Sequence, residues 1–236
     1  MLFATPMTLM YTSSTNSDGN IAALIFIPVI ISIIFCSWYF SKKMKIKRHL
    51  AKFNETPMSA FQEGEIGKTR GEVVYAGKTL VAPLSKRKCS YYYLIVQQYH
   101  HGNKGGYWSA LFEEEMSGDL VIHDGNAYAL IETSLMKSYV VQDRSFNSGT
   151  FSDADTTMED LLRSRGISST NFLGLNKQIR YLEGVLEKGE IICVSGTGNW
   201  KTSKPAELKI PVNRFLHITG NPQEEVYLSD DPQLTK

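Results

Sequence analysis

An uncharged apolar run near the N-terminus constrains this chain more than any other feature. Residues Ile21–Phe40 read IAALIFIPVIISIIFCSWYF, twenty residues without an acid or a base. As an α-helix, which rises about 1.5 Å per residue, the run covers the roughly 30 Å hydrocarbon core of a bilayer. Pro28 is tolerated in membrane helices, and Trp38 and Tyr39, just before the run ends at Phe40, lie where interfacial aromatic residues are expected. The sequence therefore predicts a single transmembrane helix from Ile21 to Phe40.

A signal peptide and a buried core helix are the alternatives for this run. A signal peptide has bases before a shorter apolar stretch and small residues at its cleavage site. Here residues 1–41 contain no Lys or Arg, and the run ends in bulky aromatic residues followed by lysines. Both features favour a membrane anchor.

Basic residues cluster immediately after the apolar run. They are Lys42, Lys43, Lys45, Lys47 and Arg48. Because cytoplasmic flanks of membrane helices carry an excess of Lys and Arg, the cluster predicts a cytoplasmic C-terminal domain and an extracytoplasmic tail at residues 1–20. The same bases can attract anionic headgroups at the membrane surface. A plain stop-transfer flank is the simpler interpretation.

The remainder of the chain is slightly acidic. Of 25 bases and 24 acids, five bases and one acid lie in residues 1–48, which leaves 20 bases against 23 acids. Nucleic-acid binding needs clustered cations that displace counterions from phosphate, so this balance argues against a nucleic-acid partner. The three cysteines, Cys36, Cys89 and Cys193, do not form a disulfide framework, and reduced thiols are expected. A single disulfide between Cys89 and Cys193 is the alternative.

Turn and cap signals divide residues 41–236 into three parts. In residues 41–64, the basic segment is followed by Thr56 as an N-cap and Pro57 at a first helical position, which predicts a short helix ending at Gly64. Residues 65–220 are expected to form a β-rich domain, and residues 221–236 a polar C-terminal tail.

The β-rich part contains several strand patterns. The stretches GEVVYAG and CSYYYLIVQQY are rich in β-branched and aromatic residues, HHGNKGGYW reads as a turn, and LVIHDGNAYALI as a hairpin turning at Asp124-Gly125. Thr156 and Glu159 form a capping box for one helix, and further strands are expected at Glu190–Val194 and Glu207–Ile218. The predicted fold is a single N-terminal transmembrane helix plus a β-rich α+β domain, with a curved or barrel-like antiparallel sheet and one or two short helices.

The order of these motifs resembles the GIDE domain of membrane-anchored E3 ubiquitin ligases. In that family a G-x-V strand leads to an L-x-[SA]-P-[LF] segment, a Cys precedes aromatic residues, and a hairpin and a Glu–Gly-Glu–Gly strand pair follow. The matching residues here are Gly71, Val73, Leu80, Ala82, Pro83, Leu84, Cys89, Tyr91 to Tyr93, Asp124, Gly125, Glu183, Gly189, Glu190 and Gly196. The resemblance covers about residues 64–200.

The resemblance implies the accessory domain of these ligases without their catalytic part. A RING needs closely spaced Cys and His ligands for two zinc ions, and this sequence has no C-x-x-C. We therefore expect a RING-less member: a membrane-anchored, non-catalytic interaction or recognition module that contacts the bilayer and a protein at the membrane. No catalytic residue, cofactor, metal or nucleic acid is expected. The alternative function is an E3 ubiquitin-protein transferase, as in the RING-bearing members.

Other residue groups have a chemical and a simpler interpretation. His100-His101 with His123 read as loop histidines rather than metal ligands, and Cys89 as a buried strand residue rather than a nucleophile. SGTGNWKTSK reads as a strand-ending turn rather than a phosphate loop, and Lys86-Arg87-Lys88 as a solvated turn. The acids Glu113, Glu114, Glu115 and Asp119 read as a solvated edge, and the aromatic residues Tyr91, Tyr92, Tyr93, Tyr99, Tyr107 and Trp108 as core packing.

Overall fold

A computed structural model of the chain describes residues 27, 29–30, 32–33, 36–37, 39–102, 105–148, 156–170, 176–202, 206 and 208–235. The chain divides into two compact units, Met1–Met44 and Lys45–Lys236. Most of the predicted membrane span, including Ile21, Pro28 and Trp38, lies outside the described residues. Within the described part of the chain, no helix has both the length and the apolar character needed to cross a bilayer. The transmembrane helix thus stays a prediction.

From Lys42 onward, the described residues form two α-helices, one 3-10 turn and thirteen strands. In chain order these are α1 (Lys42–Leu50), the 3-10 turn (Met58–Ala60), β1 (Glu65–Val74), β2 (Leu80–Val81), β3 (Lys88–Cys89), β4 (Tyr91–Gly102), β5 (Gly105–Ser117), β6 (Leu120–His123), β7 (Tyr128–Ile131), β8 (Met136–Tyr139), β9 (Arg144–Ser148), α2 (Thr156–Ser164), β10 (Ile179–Leu186), β11 (Ile191–Lys201), β12 (Phe215–Thr219) and β13 (Val226–Ser229).

Five strands close into a barrel. They follow the order β1-β6-β7-β12-β11, and β1 pairs with β11 along the whole of Glu65–Glu72 to complete the ring. If the barrel strands β1, β6, β7, β11 and β12 are renumbered 1 to 5 in chain order, their order around the barrel is 1-2-3-5-4-1. Strands 3 and 5, which are β7 and β12, are parallel. This is the connectivity of an OB-type barrel. The prediction of a barrel-like sheet is confirmed, but β7–β12 and β8–β13 are parallel pairs, so the sheet is mixed rather than antiparallel.

The barrel interior holds the larger hydrophobic core. Many of its buried side chains come from inward positions of the five strands, among them Val73, Ile122, Ile192, Val194, Leu216 and Ile218. Two glycines permit close approach where the barrel closes. A Cβ at Gly71 would lie 3.0 Å from the His123 carbonyl oxygen, and one at Gly196 would lie 3.0 Å from that of Thr219. A side chain at either position would crowd the backbone of the neighbouring strand.

A second sheet has the order β5-β4-β10-β9. One face of β4, with Tyr92, Leu94 and Val96, packs with Leu162 of α2 and forms a separate buried core. Tyr91 points the other way and packs in the barrel core. The first half of β4 is therefore buried on both faces, since successive side chains alternate between the two cores.

The outer face of β6 and β7 is covered by the chain itself. Leu208, Ile210 and Phe215 pack on Val121 of β6 and enclose a third, smaller apolar cluster. The backbone N–H of Lys209 also donates to the Ala76 carbonyl at 2.5 Å. This segment occupies the face on which OB-type barrels commonly bind their ligands.

The region around Pro57 corrects one sequence prediction. Only a 3-10 turn forms at Met58–Ala60, and the α-helix lies earlier, at Lys42–Leu50. Met58 and Phe61 are buried in the barrel core, and the Asp124 carboxylate accepts the Met58 N–H at 2.8 Å. These long-range contacts fix the segment in a shape that a continued helix could not adopt. Gly64 does take a left-handed conformation, with φ of 75°.

The C-terminal part corrects two more predictions. The expected strand Glu207–Ile218 begins only at Phe215, since Pro211 lacks the N–H that a strand ladder needs. The expected polar tail contains β13, whose Val226 and Leu228 are fully buried because β13 pairs with β11. The strand was not predicted from the sequence because polar residues surround these two apolar positions.

The remaining local predictions agree with the structure in most respects. The hairpin turns at Gly125, and the helix forms at Thr156–Ser164. Two strands are longer than expected. β4 continues through His100 and His101, and β11 runs through the proposed strand-ending turn to Lys201.

Candidate interaction site

Most residues that carry the family resemblance have structural roles. Glu183 is fully buried, and its carboxylate accepts the backbone N–H groups of Leu84 (2.9 Å) and Ser85 (3.0 Å). Pro83 directly precedes these two donors. The carboxylate therefore ties the β2–β3 loop to β10, across almost one hundred residues of sequence.

Asp124 organises the β6–β7 hairpin. Its carboxylate accepts the N–H groups of Asn126 (2.9 Å) and Ala127 (2.8 Å), as well as that of Met58 (2.8 Å). Burial opposes ionisation, but these three backbone hydrogen bonds outweigh it and lower the pKa of Asp124. The side chain acts as a turn-forming group rather than a reactive one.

Cys89 lacks the properties of a nucleophile. The side chain is fully buried, and its thiol is not in a disulfide. Burial, reinforced by the nearby Glu183 and Glu187 carboxylates, raises the pKa of Cys89 to about 11. Because the thiolate is the reactive form, the thiol is inert near neutral pH. Cys193 is likewise a free, buried thiol whose pKa burial raises to about 11.

The basic turn before Cys89 is only partly solvated. Lys86 and Lys88 are exposed, and Lys86 has a positive φ of 57°. Arg87 instead forms ion pairs with Asp143 (3.0 Å) and Glu187 (2.7 Å). These pairs raise the pKa of Arg87 against the opposing effect of burial. Arg87 thus joins three loops, a role that the sequence pattern did not reveal.

The basic segment predicted to lie at the membrane surface also has protein contacts. Lys42, Lys43 and Lys45 are exposed, and Arg48 is half-buried. The Lys47 ammonium pairs with the Asp231 carboxylate at 2.7 Å and donates to Gln233 at 2.8 Å. Its charge is therefore already compensated within the protein.

A cleft of about 490 Å³ lies on the outside of the barrel. It is lined by Arg70 and Glu72 of β1, the turn His123–Asn126, Glu55 and Ile191, among others. Arg70 pairs with Glu55 at 3.2 Å, and its guanidinium donates to the Thr235 carbonyl. Asp124 is held by backbone N–H groups, as described above. Arg70, Glu55 and Asp124 are thus already engaged within the protein.

The three candidate histidines do not come together. His100 and His101 lie near the end of β4, whereas His123 ends β6 in the other sheet and packs against Tyr128. Across the described ranges, no three His, Cys, Asp or Glu side chains are grouped closely enough to hold a metal ion.

The acidic residues of β5 are only partly a solvated edge. Glu113 is exposed, whereas the Glu114 carboxylate accepts the Tyr92 hydroxyl at 2.5 Å and pairs with Arg165. Glu115 accepts the Ser138 hydroxyl at 3.4 Å. Asp119 accepts the Lys78 N–H at 2.6 Å.

The far end of the second sheet carries a different kind of surface. β10 pairs with β4 only as far as Gln98, while the β4–β5 hairpin continues to Gly102 and Gly105. On one face of this extension and at its base lie the side chains that we call the distal surface. Its members are Gln97, Tyr99, His101, Trp108 and Arg180.

The side chains of the distal surface form a continuous cluster of aromatic and cationic groups. His101 meets Tyr99 edge-on with ring centroids 4.8 Å apart, and Tyr99 lies 5.2 Å from Trp108. The Arg180 guanidinium lies over the Trp108 ring at 4.3 Å, and its Nε donates to the Gln97 amide oxygen at 2.6 Å. Tyr99 also lies over Gly106, where any Cβ would clash with the phenol ring.

The expectation of core packing holds for only some of the aromatic residues. Tyr91 and Tyr92 are buried and Tyr93 is half-buried, as expected. Tyr99 and Trp108 are half-exposed on the distal surface, and Tyr107, on the other face of the hairpin, is 62% exposed. Arg180 was not identified from the sequence, because its contacts with Gln97 and Trp108 bridge two distant segments.

Comparison with known proteins identifies no relative of this chain: no family model, curated protein or solved structure matches it.

Proposed function

We propose that the protein is a membrane-anchored, non-catalytic recognition module that uses the distal surface to bind a protein partner. The observation that carries this proposal is the half-exposed cluster of Tyr99, Trp108 and Arg180. Tyr, Trp and Arg are the residue types that contribute most to binding energy in protein interfaces. A monomer gains little from leaving them half-exposed at the end of a hairpin.

The rigidity of the distal surface supports the same function. Trp108 is held between Tyr99 and Arg180, and Arg180 is also held by Gln97. Side chains fixed before binding lose less conformational entropy when a partner docks. The surface is therefore pre-organised for contact.

The covered barrel face argues against the ligand class most typical of OB-type barrels. Those barrels bind oligonucleotides largely across their second and third strands. Here Leu208, Ile210 and Phe215 pack over the equivalent strands, β6 and β7. The acidic balance of the chain after residue 48 argues in the same direction.

The proposal has three further parts. They are a membrane anchor at residues 21–40, a cytoplasmic domain, and membership of a RING-less GIDE-type family. Their support is the uncharged run, the basic flank and the order of motifs in the sequence. The inert Cys89 favours a binding role over transferase chemistry at that residue. Ubiquitin transfer by the purified chain, with an activating and a conjugating enzyme, would favour the ligase alternative instead.

Site-specific photocrosslinking in native membranes tests the recognition role. A benzoylphenylalanine replaces Ala110, which is exposed and pairs with Gln97 beside the distal surface. We expect a discrete crosslinked protein that disappears when Trp108→Ala is added. The matched control carries the crosslinker at Val81, which is 61% exposed but lies in β2. Identical products from both positions, or none from Ala110, would contradict the proposal.

Cysteine labelling tests the topology. In a Cys36→Ser background, Gln223→Cys provides an exposed thiol, while Cys89 and Cys193 are buried. A membrane-impermeant maleimide should label this thiol only after the cells are opened. Labelling of intact cells would overturn the cytoplasmic placement.

A further inference from the structure

Arg180 is the chemically distinctive member of the distal surface. Its guanidinium has five N–H donors, and one of them, on Nε, is used by Gln97. Among the described residues, no carboxylate forms an ion pair with Arg180. The charge is therefore held in place at a half-exposed site by an amide and an aromatic ring, neither of which neutralises it.

The geometry of a fixed guanidinium suits one class of ligand group. Two parallel N–H donors of arginine match the two oxygens of a carboxylate, and such pairs are stronger and more directional than those of lysine. The ring of Trp108 restricts the guanidinium plane, and Gln97 restricts its rotation. Tyr99 and Trp108 next to it provide apolar contact for the residues that flank such a carboxylate.

The neighbouring charges distinguish a single carboxylate from a polyanion. Glu113 is exposed on β5 and pairs with Ile95, two residues along β4 from Gln97. A phosphate chain or a charged lipid surface that reached Arg180 would also lie near this carboxylate and be repelled. A protein segment that carries one acidic side chain between apolar residues avoids this repulsion.

We propose, on the basis of the recognition role above, that the distal surface binds a protein segment through an Asp or Glu carboxylate, which pairs with Arg180 while its apolar neighbours pack on Trp108 and Tyr99. Arg180 thereby becomes the specificity-determining residue of the surface. The recognition role requires only that the surface bind a protein; the present inference adds the chemical group that is recognised.

Binding of the full-length chain in detergent micelles to an array of twelve-residue peptides tests the inference. Each peptide has one Asp or Glu between apolar and aromatic residues, and its twin has Asn or Gln in that place. We expect the acidic peptides to bind about ten- to a hundredfold more tightly than their twins, as a charge-assisted bidentate pair predicts. Arg180→Gln should abolish this difference, and Arg180→Lys should restore only part of it.

Arg144→Gln is the matched control, because it removes the same charge from an exposed residue of the same sheet. By strand alternation, Arg144 lies on the face of Phe146 and Ser148 rather than with Arg180. The acidic preference should survive this change. The inference would be overturned if Arg180→Gln kept the preference for acidic peptides, or if Arg144→Gln lost that preference to the same extent as Arg180→Gln.

Two further probes separate carboxylates from phosphates. The probes are a single-stranded oligonucleotide and vesicles containing phosphatidylserine. We expect each to bind Arg180→Gln at least as tightly as it binds the wild-type chain. Arg180-dependent binding of either probe that exceeds peptide binding would overturn the inference. If the Ala110 crosslink persists in Arg180→Gln while Trp108→Ala abolishes it, the recognition role stands and only the carboxylate assignment fails.

Discussion

The barrel and the second sheet differ in how they treat their outer faces. On the barrel, Leu208, Ile210 and Phe215 cover β6 and β7 and bury an apolar layer. On the far end of the second sheet, the face with Tyr99, Trp108 and Arg180 keeps aromatic rings half-exposed. The apolar area that one region uses for folding is, in the other region, available for binding. Large aromatic side chains thus serve stability in one place and, in the function proposed above, recognition in the other.

The largest expected effect is on the covered face. Phe215→Ala removes a ring that is 2% exposed and leaves a cavity under the covering segment. We expect a loss of about 3–5 kcal/mol in the free energy of unfolding. Urea titration of the full-length chain in detergent, followed by circular dichroism, measures it. A loss below about 1 kcal/mol would mean that the covering segment contributes little to folding, and the contrast between the two faces would disappear.

Glu183→Gln probes the buried contact that ties the β2–β3 loop to the second sheet. The carboxylate accepts two backbone N–H groups, and an amide retains only one acceptor while it directs an NH₂ group at the other donor. We expect the free energy of unfolding to fall by about 2–3 kcal/mol. Glu187→Gln is the control, because its pair with Arg87 is half-exposed and worth less than about 1 kcal/mol. Equal effects in the two variants would show that the buried loop does not depend on Glu183.

The pH dependence of stability provides a third test. Burial, with added repulsion from Asp143, Asp230 and Glu187, raises the pKa of Glu190 from 4.5 to about 7. Between these values the folded state binds more protons than the unfolded state, so stability falls as pH rises from about 4.5 to about 7. Glu190→Gln should reduce this fall and stabilise the chain at pH 8 by about 1 kcal/mol, after allowance for solvent screening.

Unfolding midpoints measured from pH 4 to pH 8 check this prediction. Asp230, whose pKa burial raises to about 6, should still cause a smaller decline in the variant. Glu72→Gln, at an exposed position of β1, should leave the profile unchanged. If the pH profile of Glu190→Gln matches that of the wild-type chain, Glu190 is not the cause of the loss of stability.

The smallest expected effect on stability is that of Trp108→Ala. The indole is half-exposed and contacts mainly Tyr99 and Arg180, so its removal should lower the free energy of unfolding by less than about 1 kcal/mol. The same change should abolish the Ala110 crosslink. A stability loss as large as that of Phe215→Ala would place Trp108 with the core residues and end its contrast with the covered face.

The candidate site was only partly predictable from the sequence. Tyr99 and Trp108 were identified as aromatic strand residues but were expected to be buried. Nothing local to β4 or β5 indicates that this stretch extends beyond the neighbouring strand β10. Arg180 carried no signal at all, because its partners lie more than seventy residues away in the sequence.

The sequence alone determined the local geometry of this protein. Runs of β-branched and aromatic residues predicted β4 and the β6–β7 hairpin, Asp124-Gly125 predicted the turn of that hairpin, and the capping box at Thr156 and Glu159 predicted α2. These features depend on steric preferences and side-chain contacts within a few residues. Only the tertiary structure decided the closure of β1 on β11, the burial of Glu183 and the half-exposed cluster at Arg180. Each of these depends on hydrogen bonds or packing between distant segments, which local preferences do not specify.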